Sequence, residues 1–184
     1  MSPTESLRRD HFLIEKMLRA LTVTADILKE GRALPSAILD QSIEFTKNFM
    51  LACHHSKEED TLFPTLHLAG MPKEGGPIAR MIFEHGIAKE LAGKLEASAG
   101  KYRQSGDASD LVADIRAYVE HVSSHLTKEN FRLFMMADMV LRAKSDQVGT
   151  SLAATESARL AELGHDRVHY EKLVSDMEAG LAGK

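Results

Sequence analysis

A chain of 184 residues, 43% hydrophobic and 27% charged, has apolar material for one packed domain, or one domain with an appendage. A net charge of −4 with no basic block argues against nucleic acid as a partner, and a single cysteine, Cys53, excludes an intramolecular disulfide framework. The N-terminal "MSPTESLRRDHF" lacks the order of a signal peptide, and no apolar run approaches the roughly 18 residues of a membrane span, so a soluble cytoplasmic protein is expected.

Ser2-Pro3 opens a first predicted helix, "TESLRRDHFLIEKMLRALTVTADILKE", in which Leu7, Ile14, Met17, Leu18, Leu21 and Ile27 follow a helical period before Gly31 ends it. Pro35 and Ser36 introduce a second, "AILDQSIEFTKNFMLACHHSKEEDTLF", which Pro64 is expected to kink or restart. "LAGMPKEGGP" then breaks the chain. Pro77 begins a third helix through "IARMIFEHGIAKELAGKLEASAGKYRQ", and "SGDASD" separates it from a fourth between Leu111 and Lys144. After "SDQVGT", a shorter helix over "ESARLAELGHDRVHYEKLVSDMEAGL" has Gly164 as a weak point. No stretch alternates apolar and polar residues as a strand requires.

The expected fold is all-α. An up-and-down antiparallel four-helix bundle covers residues 1–144, and an additional C-terminal helix over 145–184 packs on its outside or across one end.

Nine histidines are dispersed along the chain, and three of them, His54, His55 and His125, sit in a repeated phrase. "HHSKEEDTLF" at 54–63 returns as "HLTKENFRLF" at 125–134, pairing His54 with His125, Lys57 with Lys128, Glu58 with Glu129 and Phe63 with Phe134. His-x3-Glu puts an imidazole and a carboxylate one turn apart on one helix face. A fainter repeat relates "DHFLIEK" at 10–16 to "EHGIAKE" at 84–90, each an acidic residue followed by histidine. Helices one and two thus match helices three and four in order. A bundle with this pseudo-twofold pattern would gather His11, His54, Glu58, His85, His125 and Glu129. One His-x3-Glu occurs by chance on many solvated helices, but two copies with two acidic-His partners are hard to read that way. Imidazole nitrogen with carboxylate oxygen suits iron, manganese or zinc, and four imidazoles with two carboxylates fit two ions better than one.

This order of motifs, with the flanking "DHFLIEKML", "CHHSKEEDTLFPTL", "GGPIARMIFEHG" and "HLTKENFRLF", resembles the bacterial hemerythrin-like (HHE cation-binding) family over residues 7–140. The resemblance implies a hemerythrin-like four-helix bundle with two iron ions in a non-haem, oxo- or hydroxo-bridged centre. His11, His54, His85 and His125 would be terminal ligands, and Glu58 and Glu129 would bridge. Zinc and manganese are the alternative metals. Oxygen-carrying hemerythrins have a further histidine one turn after the third-helix ligand, where this chain has Lys89. With about six positions per iron, that leaves about two for water, a small ligand or another side chain.

Four further residues are candidate ligands. Glu15 lies one turn after His11, and His121 one turn before His125. His165 and His169 form an i, i+4 pair in the last helix, able to fill a position or gate access if that helix closes the bundle mouth. His55 and Glu59 are read as supporting the site by hydrogen bonding, Asp10 and Glu84 as orienting neighbours or favouring helix starts, and Cys53 as a small buried hydrophobe.

The implied function is binding of, or reaction with, a small oxidant or diatomic (oxygen, nitric oxide or peroxide) in sensing, stress response or detoxification. The residues leave open a di-iron enzyme with peroxidase- or catalase-like turnover, iron storage or delivery, and a structural metal such as zinc. The expected partner is the small ligand itself, without nucleic acid or membrane, and any signal would pass to a separate protein.

Overall fold

The computed structural model describes residues 2–183, and among them all regular structure is helical. Six helices follow in chain order: α1 (Glu5–Lys29), α2 (residues 38–68), α3 (Pro77–Ser105), α4 (residues 109–140), α5 (Ser145–Glu162) and α6 (Arg167–Leu181). None is long and apolar enough to cross a membrane. Gly31 and Gly106 take positive φ (68° and 74°) just past the ends of α1 and α3, where a left-handed residue stops a helix without a Cβ clash. With connections this short, α1 to α4 pack as antiparallel neighbours. α4 lies between α1 and α3, and α2 closes the bundle.

Two helices change their winding where the repeated phrase falls. α2 runs as α-helix, then π-helix over Phe45–His54, one α-helical turn over His55–Lys57, a second π segment over Glu58–Leu62, and α-helix again over Phe63–Leu68. α4 has its π segment at the equivalent place, Glu129–Leu133. The second π segment of α2 and the π segment of α4 each begin at the glutamate of the repeat. A π turn rotates the helix face and is concentrated at functional sites. Pro64 stands in the first turn of the α-helical segment that resumes after the second π segment, so α2 changes its winding there and continues.

The core is split in two. One apolar cluster is built around Met17, Leu21, Phe49, Ile115, Tyr118 and Met177, and the other around Leu7, Leu62, Phe63, Phe134, Leu141 and Leu152. Between them lies a layer of buried polar side chains: Asp10, His11, His54, His55, Lys57, Glu58, Glu84, His85, His125 and Glu129. A dry polar layer across a bundle costs stability unless its members are paired or bind something.

The C-terminal extension, expected as a single helix, consists of two. "SDQVGT", read as a connection, forms the first turns of α5, with Val148 and Leu152 buried against the second core cluster. Gly164, the weak point, takes φ +72° and separates α5 from α6. Asp166 then caps α6 by accepting the His169 N–H at 2.9 Å. α5 packs on the middle and end of α2, and α6 covers the groove between α1 and the start of α2. Both lie along the side of the bundle, not across its mouth.

Candidate metal centre

The six side chains predicted from the two repeats meet in the polar layer. Their side chains are 0–4% exposed. The Nε2 atoms of His11 and His125 lie 3.2 and 3.3 Å from one oxygen of Glu129. Those of His85 and His54 lie 3.2 and 3.7 Å from one oxygen of Glu58. These contacts are close but not aligned as hydrogen bonds. All four Nε2 atoms and all four carboxylate oxygens are buried without a hydrogen-bond partner among the described residues. Native interiors rarely leave such groups unsatisfied, and eight together mark a place built for a bound ion.

The outward-facing nitrogens tell the complementary story. His54 Nδ1 is 3.2 Å from Asp10, His125 Nδ1 is 3.2 Å from Glu84, His11 Nδ1 is 2.9 Å from Asn130, and His85 Nδ1 is 2.6 Å from Glu59. Every imidazole can therefore donate from Nδ1 to an oxygen outside the centre, which fixes the tautomer and turns the Nε2 lone pair inward, as metal-bound histidines require.

This pattern accounts for the repeat residue by residue. The acidic residue of each Asp/Glu-His pair orients the histidine of a His-x3-Glu phrase, and the residue after each phrase glutamate orients the histidine of the pair. The phrase lysines neutralise the acids: Lys57 reaches Asp10 at 2.7 Å, and Lys128 reaches Glu84 at 2.7 and 2.8 Å. Burial alone would raise the Glu84 carboxyl, but hydrogen bonds from Lys128, Arg80 and His125 pull it down to about 2. Asp10 is likewise held well below the carboxylate range, since its His54 bond and the Lys57 and Arg167 charges outweigh burial. Burial disfavours charge on His85, yet the surrounding Glu129, Glu58 and Glu59 carboxylates push it up to about 11. Burial and the neighbouring imidazoles hold His55 well below the usual histidine range.

Two overlapping donor sets result. In one, His11, His54, Glu58 and Glu129 place donor atoms within 4.8 Å of one another; in the other, His85, His125, Glu58 and Glu129 do so. The two sets share both carboxylates. Imidazole nitrogen with carboxylate oxygen is a donor chemistry that suits a metal ion of hard-to-borderline character.

The remaining candidates lie elsewhere. Glu15 is exposed on α1, along a shallow groove with Arg19 and Thr22. His121 turns away from the centre and donates from Nε2 to the Glu84 carbonyl at 2.9 Å, buttressing α3 against α4. His165 and His169 stack at 3.8 Å on the flank, where His169 Nε2 is 2.5 Å from Glu44. They neither fill a place in the centre nor gate it, because α6 lies along α1 and α2. Glu59 supports the site as expected from the sequence. The Nε2 of His55 makes no such hydrogen bond among the described residues.

Sequence reasoning passed over the contribution of the extension. Arg167 of α6 reaches Asp10 at 2.6 Å, and Glu156 of α5 reaches Lys57 at 2.5 Å, so both added helices are tied to the group that orients His54. Asn130 was also missed, although the repeat holds the signal: it follows Glu129 as Glu59 follows Glu58. Lys89 is exposed and lines a cavity of about 670 Å³ between α2 and α3, with His55, Glu59, His85 and Gly86.

No curated protein and no solved structure matches the chain. The family description "Hemerythrin HHE cation binding domain" matches residues 2–137, a span that holds all six converging side chains and all four of their outward partners. The chain belongs to the hemerythrin HHE cation-binding family.

Proposed function

We propose that the protein is a non-haem di-iron protein that binds, or reacts with, a small oxidant or diatomic (oxygen, nitric oxide or peroxide) in sensing, stress response or detoxification. The observation that carries this reading is the pair of donor sets sharing Glu58 and Glu129, each completed by two imidazoles whose outer nitrogens are already engaged. His11 and His54 would hold one ion, His85 and His125 the other, and the two glutamates would bridge. The ions would supply one-electron chemistry between ferrous and ferric states. The protein orients the imidazoles through Asp10, Glu59, Glu84 and Asn130, and the apolar clusters on either side keep bulk water out.

A second reading, a di-iron enzyme with peroxidase- or catalase-like turnover, draws support from the cavity between α2 and α3. It has His85 and His55 in its wall and would give a small substrate a route to the second donor set.

The test is metal quantification on aerobically purified protein, with an ultraviolet–visible spectrum before and after dithionite. About two irons per chain with near-ultraviolet bands that bleach on reduction supports the di-iron reading. Zinc alone, or no metal retained after reconstitution with ferrous iron, overturns it. Steady-state consumption of peroxide would then separate an enzyme from a stoichiometric binder.

A further inference from the structure

The two halves of the centre differ at one buried position. In the repeated phrase the residue after the ligand histidine is Leu126 in α4 and His55 in α2. Leu126 is 2% exposed and belongs to the apolar cluster, which is what the fold asks of that position. His55 is 5% exposed and puts an imidazole there instead. Its ring stacks on His85 with centroids 3.7 Å apart and faces His125 edge-on at 5.9 Å. Its Nε2 is buried with no partner among the described residues, in the same condition as the Nε2 atoms of the four converging histidines. One ring nitrogen from each of His55, His85 and His125 falls within 4.8 Å of the other two.

A histidine kept only for packing is ordinarily satisfied by a carbonyl, a carboxylate or water. This one sits among metal donors and stands where the other half of the fold does well with leucine. We propose that His55 is a third imidazole ligand for the ion held by His85 and His125. The proposal rests on the two-iron reading above.

Its consequence is an unequal pair of ions. Three imidazoles, two bridging carboxylate oxygens and a bridging solvent ligand complete about six positions on the second ion. The first, with His11 and His54, has about five filled and keeps one for an exogenous ligand. The chain thereby regains a fifth imidazole that it lacks at Lys89, from a different helix and a different register. The place for a diatomic falls on the ion oriented through Asp10, the carboxylate that Arg167 and Lys57 clamp.

The experiment loads wild type, His55→Ala and His55→Gln with ferrous iron, oxidises them, counts irons, and titrates azide while following its charge-transfer band. Wild type is expected to bind one azide per two irons. His55→Ala is expected either to bind a second azide or to retain one iron in place of two, and added imidazole should reverse the change. His55→Gln keeps the bulk and carries the test if the alanine variant does not fold. Wild-type iron count, azide stoichiometry and spectrum in the folded variant would overturn the proposal. Absence of two irons from wild type would instead overturn the reading it rests on.

Discussion

The Lys57 ammonium and the Asp10 carboxylate meet at 2.7 Å with both side chains sealed from solvent, and Arg167 takes the other oxygen of that carboxylate at 2.6 Å. The equivalent pair in the other half, Lys128 with Glu84, is open, with Lys128 31% exposed. The difference comes from the extension, which covers one half of the pseudo-twofold bundle and leaves the other bare. Removing one partner of a sealed ion pair is costly, whereas Lys128 is open to solvent and Glu84 keeps Arg80 when it is lost. Lys57→Met should therefore cost about 3 kcal/mol, and Lys128→Met about 1 kcal/mol or less. Urea unfolding of the metal-free variants at neutral pH measures both, and equal losses would deny the extension its sealing role.

The outward acceptors make a sharper prediction about metal than about stability. Asn130 and Glu59 touch no ion in the proposed arrangement, yet each holds a ligand histidine by Nδ1. Losing such a partner typically weakens metal affinity about 10- to 100-fold. Asn130→Ala and Glu59→Ala should leave the unfolding midpoint of the metal-free protein nearly unchanged while speeding iron loss to a chelator by that order. Stopped-flow chelation against wild type checks it. A loss rate equal to wild type would make the two contacts incidental.

How much of this was legible in the sequence follows from where the information lies. Helical period, Gly31, Pro77 and the stretch "SGDASD" mark α1, α3 and α4 because those signals are local. The six converging side chains were legible for a less common reason: a pseudo-twofold fold writes its site twice, and a single spacing such as His165 with His169 lacks the second copy that His54 with Glu58 has. The clamp on Asp10 was not legible, because Arg167 stands 157 residues from it in sequence and nothing local to Arg167 points inward. The π segments were hidden as well, since they arise from the demand that glutamate and histidine face one layer, a tertiary condition. The C-terminal helix was placed too late because Gly149, a helix breaker by propensity, is overridden by burial of Val148 and Leu152 on either side.

A carboxylate away from the centre ties the chain start to α4. Asp138 accepts from the Thr4 hydroxyl at 2.8 Å, the Thr4 N–H at 3.2 Å and Arg8 at 3.2 Å, at the positive end of α1. Burial would raise its carboxyl, but the hydrogen bonds of Ser2, Thr4 and Arg8 hold it below its ordinary value of 3.8. A depressed folded value contributes stability that is present above the unfolded value and lost as pH falls through the folded one. Asp138→Asn should thus cost about 1–2 kcal/mol at pH 7, with the gap narrowing only below about pH 4. Unfolding curves of both proteins across that range decide it, and a gap that widens toward low pH would reverse the sign.

Metal removal should expose the cost of the polar layer itself. Glu58 has both oxygens buried without a hydrogen-bond partner among the described residues, between two apolar clusters, so in metal-free protein its carboxyl group is desolvated with no hydrogen bond in return. Replacing such a group by a hydrophobe of similar size is often neutral or stabilising, whereas a bound ion stabilises the fold through mass action, by about 4 kcal/mol at a thousandfold excess over Kd. Glu58→Leu should therefore match or exceed wild type in thermal midpoint when both are metal-free, and fall below it when both are supplied with ferrous iron. His85 keeps Glu59 at 2.6 Å and Glu129 at 3.9 Å in the variant, so its loss of Glu58 is partly covered. Calorimetry of the two proteins in the two states gives four midpoints. If Glu58→Leu is the less stable protein without metal as well, Glu58 is part of the scaffold, and the layer is held together by its own ion pairs and not by what it binds.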